Sequence, residues 1–164
     1  MSVNLTDFVR ESNRIEGIYE TSASCVAAHV RLLSLTKLTI KDMCDFVSAV
    51  QPGAVLRDKE GLNVQVGVYT PPPGGVGIKQ WLEKILAGVL AHRDNPKAAY
   101  FFHHHYESIH PFTDGNGRSG RAVWLWMHRS HAPLGFLHQW YYESLRSGSM
   151  PQIPDAFGDP NHAA

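Results

Sequence analysis

Apolar residues recur along much of this chain at intervals of three and four, the spacing that lines one face of an α-helix. Leu5, Phe8, Val9, Ser12 and Ile15 trace such a face over residues 4–17, with Asn4 or Thr6 available as N-cap and Gly17 as a stop. Cys25, Ala28, His29, Leu32 and Leu33 predict a second helix over 22–34. A third opens with the capping pattern Thr39-Ile40-Lys41-Asp42, carries Met43, Phe46, Val47 and Val50, and ends at Gln51-Pro52-Gly53. The period then changes. Residues 54–57 and 62–68 read as two short strands about Asp58-Lys59-Glu60-Gly61, a β-hairpin too small to stand without a helical body behind it. Tyr69-Thr70-Pro71-Pro72-Pro73-Gly74-Gly75 continues neither strand nor helix. Trp81, Leu82, Ile85, Leu86, Val89 and Leu90 form a broad stripe over 78–92, and Asn95-Pro96 caps a helix running to about 109. Further helices are expected over 117–131 and 138–146, and a flexible polar tail from Gly148. The pattern predicts an all-α domain with one small hairpin.

Composition changes this picture little. A chain of 164 residues, 43% hydrophobic and 18% charged, fits one domain with a core of its own. Net charge is zero with histidine neutral, so no global field recruits nucleic acid or an anionic membrane, and any anion site must be local. Cys25 and Cys44 both fall in apolar helical pattern and read as small core residues, which suits a reducing compartment. There is no basic segment followed by an apolar run at the N-terminus, and no window of the ~18 apolar residues a membrane span needs. The expected location is cytoplasmic, with secretion as an effector left open. His103-His104-His105 invites a metal reading. Consecutive helical residues point about 100° apart, however, so the three do not converge on one ion. His103 is expected against the neighbouring helix and His104 or His105 near solvent.

The chemistry concentrates in His110-Pro111-Phe112-Thr113-Asp114-Gly115-Asn116-Gly117-Arg118-Ser119-Gly120-Arg121. An imidazole, a carboxylate, a glycine-rich turn and two guanidiniums stand within a dozen residues between two apolar helices. A glycine-rich turn entering a helix offers free backbone N–H groups and about half a positive charge, a site for phosphate. Arg118 and Arg121, three apart, are expected to share a face and converge on the same anion. Upstream, Glu16 stands at the C-terminal end of the first helix, where its charge opposes the dipole, a reason to look for a cationic partner elsewhere.

Residues 110–121 resemble the Fic signature, H-P-F-x-[D/E]-G-N-G-R-x-x-R, at every defined position. The run Ala99, His103, Tyr106, Ile109 is similar to the helix leading into that signature, and the hairpin to the family's target-positioning flap. The resemblance implies a single Fic-type helical bundle divided into an inhibitory helix (1–20), a core (21–147) and a tail (148–164). It also implies a protein adenylyltransferase, moving AMP from ATP to a Ser, Thr or Tyr hydroxyl of a target protein, itself included, and working alone or as a homo-oligomer.

Under that resemblance His110 is the base for the incoming hydroxyl, and Asp114 holds Mg²⁺. Gly115, Asn116 and Gly117 cradle the phosphates, Arg118 and Arg121 contact them, and Tyr141 and Tyr142 lie near the adenine. Pro111 and Phe112 anchor the loop. Val64, Gln65, Val66, Gly67 and Val68 form the flap edge that pairs with the target. Ser12-Asn13-Arg14-Ile15-Glu16-Gly17 resembles the inhibitory motif [S/T]-x-x-x-E-[G/N], in which the glutamate pairs with the second signature arginine, here Arg121. Removal of AMP from a modified protein, a bifunctional enzyme and a non-catalytic nucleotide- or peptide-binding module are the alternatives. The intact Gly115-Asn116-Gly117 segment argues against the kinase-like branch.

Overall fold

A computed structural model describes residues 4–128, which fold into six helices: α1 (Leu5–Ile15), α2 (Ala23–Ser34), α3 (Ile40–Val50), α4 (Val76–Ala91), α5 (Pro96–Ile109) and α6 (Asn116–Met127). Four of the six starts carry a side-chain cap. Asn4 accepts from the Thr6 N–H, Ser22 from Cys25, and Asn95 from Lys97 and Ala98; Thr39 and Asp42 form a complete capping box. α1 stops where expected, with Gly17 in the left-handed region at φ 73° and its N–H on the Arg14 carbonyl.

α6 organises the packing. It touches all five other helices, and of its residues only Gly117 is not buried. Val123, Trp124, Leu125, Trp126 and Met127 join Phe8 and Val9 of α1, Leu32 of α2, Met43 and Val47 of α3, Leu82 and Val89 of α4, and Phe102 and Tyr106 of α5 in one core. His29 is a core histidine, edge-on to Phe46 at 4.8 Å, its Nδ1 bonded to the Cys25 carbonyl at 2.7 Å; burial lowers its pKa to about 4. Cys25 and Cys44 are free thiols, the first buried and the second partly so. No helix of the described residues is long and apolar enough to cross a membrane.

The expected hairpin between 54–57 and 62–68 does not form. Residues 55–57 pair instead with the loop between α5 and α6. The Arg57 N–H donates to the Pro111 carbonyl at 2.9 Å, the Thr113 N–H to the Val55 carbonyl at 2.9 Å, and Leu56 faces Phe112 in an isolated antiparallel bridge. Phe112 is 1% exposed, and burying it beside Leu56 brings the loop onto that edge. Residues 62–68 turn back on themselves. Val66 and Tyr69 exchange two 2.9 Å hydrogen bonds about Gly67-Val68, with Gly67 at φ 57°, the positive φ that the first position of a II′ turn requires. Both runs carry strand-like sequence, a short apolar run in 54–57 and alternation in 62–68, but their hydrogen-bonding partners lie elsewhere. The helix expected over 117–131 ends earlier, at Met127, with His128 as its C-cap and its N–H on the Leu125 carbonyl; the expected helix over 138–146 and the tail lie outside the described residues.

Candidate active site

α5 ends at His110, which caps the helix in the left-handed region (φ 50°, ψ 66°) and so turns the chain sharply out of the helix. The loop that follows is held from within. Asn116, 2% exposed, accepts from the Phe112 N–H and donates to the Phe112 carbonyl, both at 2.8 Å. Gly115, left-handed at φ 75°, is the N-cap of α6, and no side chain caps that end. The Gly115 N–H donates instead to Asp114 Oδ1 at 2.7 Å, leaving the Asp114 carboxylate exposed at the helix N-terminus. Pro111 and Phe112 are buried and anchor the loop, as expected.

His110 is partly buried. Burial holds its imidazole below the ordinary histidine value, and the Arg57 charge pushes the same way. The Glu107 carbonyl on Nδ1 at 3.3 Å and the charges of Glu16 and Asp114 oppose them. The net direction is downward, so the neutral, proton-accepting imidazole prevails at pH 7.

The two guanidiniums of α6 do not converge. Arg118, 4% exposed, turns to the C-terminal end of α3, where Nη1 donates to the Val50 carbonyl at 2.6 Å and Nη2 to Gln51 Oε1. Arg121, fully buried, turns to α1: Nε donates to Ser12 Oγ at 2.8 Å, and Nη2 to the Ser12 carbonyl at 2.9 Å and Glu16 Oε1 at 2.7 Å. A three-residue step puts two side chains about 60° apart on a helix. On a helix buried all round, that angle is enough to send them to different neighbours. Each must find acceptors, because a buried guanidinium left unpaired is costly.

Glu16 thus has its cationic partner. Its side chain stays 37% exposed and lies over the first turn of α6, so close to Gly117 that a Cβ there would collide with Oε1. One carboxylate therefore occupies both the helix N-terminus and a guanidinium, the features that make an anion site. Ser12 and Gly17 complete the arrangement, the first as acceptor and the second as the helix stop.

A further carboxyl stands behind this pair. Glu107 Oε1 is buried against Gly120 with no hydrogen-bond partner among the described residues. Burial pushes the Glu107 pKa up to about 7, Arg121 opposing and Glu16 adding to the shift. His103, bonded to Gly120, is lowered to about 4 by burial, and His105 is exposed, the division expected of the histidine run. In the segment expected to form the flap edge, Val66 is 40% and Val68 97% exposed. Gln65 accepts from Thr70 Oγ1 at 2.8 Å and donates to the Gly67 carbonyl at 3.1 Å, while Val64 is partly buried. Tyr141 and Tyr142 lie outside the described residues.

Residues 29–128, well over half the chain, match the model of the Fic/DOC family. The chain belongs to the Fic/DOC family. Fic/DOC proteins are known for AMPylation and related transfers and generally move nucleotide monophosphates onto proteins. The matched range takes in residues 64–68, the loop and α6, whereas Ser12, Glu16 and Gly17 precede it. Arg57, Gln51 and Glu107 stand out only in the fold. Only Arg57 carried a local signal, a lone cation closing an apolar run, and that signal points nowhere until the fold supplies four carbonyls around it.

Proposed function

We propose that this Fic/DOC chain is a protein adenylyltransferase that transfers AMP from Mg·ATP to a Ser, Thr or Tyr hydroxyl of a target protein, itself included, and that Glu16 holds it inactive. The observation that carries the reading is the 2.7 Å pair between Glu16 and Arg121 over the N-terminus of α6. In the transfer, the hydroxyl oxygen attacks the α-phosphorus, its proton passes to the neutral His110, and the bond to pyrophosphate breaks. The Gly115–Gly117 backbone and the α6 dipole support the phosphates. The exposed Asp114 carboxylate fits a Mg²⁺ ligand, since this cation is held by one or two carboxylates beside phosphate oxygens. Bound there, Mg²⁺ would neutralise triphosphate charge. Arg121 would bind the γ-phosphate, and a guanidinium fork cannot serve a phosphate and the Glu16 carboxylate in one geometry. Arg118, held by α3, acts by fixing the first turn of α6 more than by reaching the nucleotide. The flap edge at 64–68 supplies main-chain pairing for the target.

Incubation with labelled Mg·ATP and mass spectrometry test the reading. Glu16→Gly is expected to gain a covalent AMP, the unmodified sequence to gain little, and Glu16→Gly/His110→Ala none. If Glu16→Gly binds and transfers ATP no better than the parent, inhibition through Arg121 is wrong. Binding of Mg·ATP without any transfer would favour a non-catalytic module.

A further inference from the structure

Arg57 lies outside the signature and is 0% exposed, yet no carboxylate of a described residue pairs with it. Its acceptors are backbone carbonyls on two different segments. Nη1 donates to the carbonyls of Ile109 at 3.0 Å and His110 at 2.6 Å, the C-terminal end of α5. Nε donates to the Leu62 carbonyl at 2.8 Å and Nη2 to that of Pro72, one on each side of the Val66–Tyr69 turn. The main chain repeats the link, the Arg57 N–H bonding Pro111 and its carbonyl receiving the Gly75 N–H, both at 2.9 Å. Tyr69 adds a second staple by donating its hydroxyl to the Ser108 carbonyl at 2.8 Å. A helix C-terminus is where a cation is favoured, but capping α5 needs only one arm of the guanidinium. The other arm holds the flap.

We propose that Arg57 is a positioning residue for AMP transfer: its fork joins the flap segment 62–72 to the carbonyls of Ile109 and His110, and so sets where the acceptor hydroxyl stands relative to the imidazole. The inference rests on the transferase reading above. Its chemistry is that of a planar cation with donors in fixed directions, which a flexible ammonium does not reproduce. The same charge lies near His110, whose other surroundings are Glu16 on α1, Asp114 in the loop and the Glu107 carbonyl on α5.

The test places Arg57→Lys, Arg57→Gln and Tyr69→Phe in the Glu16→Gly protein. It measures AMP on protein against AMP released to water, the KM for Mg·ATP, and the His110 titration by NMR. If Arg57 positions the protein acceptor, both Arg57 variants lose up to about 100-fold of protein-bound AMP while KM for Mg·ATP holds, so that the products shift toward free AMP. Tyr69→Phe moves the ratio the same way by less, and decides the matter should the Arg57 variants not fold. Arg57→Gln raises the His110 midpoint, and Arg57→Lys, which keeps the charge, leaves it in place. A lower melting temperature with an unchanged product ratio would overturn the proposal and leave Arg57 a helix cap. Absence of transfer in the Glu16→Gly parent would instead defeat the transferase reading. The titration then still decides for Arg57, since an unmoved His110 midpoint in Arg57→Gln overturns its link to the imidazole.

Discussion

Glu107 is a carboxyl in a poor place for a charge. Its Oε1 faces the Cα of Gly120 with no donor among the described residues, and its pKa is pushed up to about 7 from 4.5. The folded chain therefore keeps a proton that the unfolded chain releases above pH 4.5. This contribution to stability is whole below pH 4.5 and is lost as pH rises through 7. Glu107→Gln keeps the shape and removes the ionisation. Melts at two pH values are expected to show little change at pH 5 and stabilisation by about 1–2 kcal/mol at pH 8. That figure is below the full value of the shift because the side chain retains some contact with water. An equal shift at both pH values would mean that ionisation is not the cause. His29 runs the other way: its depressed pKa leaves stability intact above pH 6.5 and erodes it as pH falls from 6.5 to about 4.

At the scale of elements, the loop between α5 and α6 depends on Asn116 more than on its glycines. One buried amide satisfies both the N–H and the carbonyl of Phe112, and those bonds hold the antiparallel bridge to Leu56 in register. Asn116→Ala leaves two buried backbone groups without partners, at about 1–3 kcal/mol each, so a loss of about 2–6 kcal/mol is expected in chemical denaturation. A loss under 1 kcal/mol would show that water or a shifted loop replaces the clamp. The first five helices are legible to within two residues at either end, because 3.6-residue periodicity and caps are local signals, whereas α6 ends at Met127, four residues before the expected stop. The hairpin is not legible in the same way, because alternation records which face of a strand is apolar and leaves its hydrogen-bonding edge unspecified.

For the whole molecule, α1 is both a wall of the core and the carrier of Glu16. Phe8 and Val9 are fully buried in the common core, whereas Glu16 lies at the rim. The two roles separate by mutation. Glu16→Gly is expected to cost only about 1–2 kcal/mol, because both Ser12 acceptors stay on Arg121 and the pair is partly solvated. Deletion of residues 1–18 exposes the core, with about 1.5–3 kcal/mol lost for each of Phe8 and Val9. Thermal melts and size-exclusion chromatography should show Glu16→Gly melting within a few degrees of the parent and the deletion aggregating or melting far lower. A deletion variant as stable as the parent would mean that α1 lies outside the cooperative core.

Most of the local chemistry could be read before any fold was known. His110, Asp114, the Gly115–Gly117 turn and Arg121 lie within a dozen residues, so chain connectivity alone keeps them together, and the helices around them announce themselves by period. Three things needed the third dimension. Arg118 and Arg121 part because α6 is buried on every side and each guanidinium must reach the nearest acceptors, in α3 and α1. Residues 55–57 take the loop beside Phe112 as partner because its buried ring brings that edge within reach. Glu16 meets Arg121 across more than a hundred residues because α1 packs on α6. Sequence determines what each segment can form and which groups it carries; which distant groups satisfy one another is decided only when the core closes and every buried charge has to find its partner.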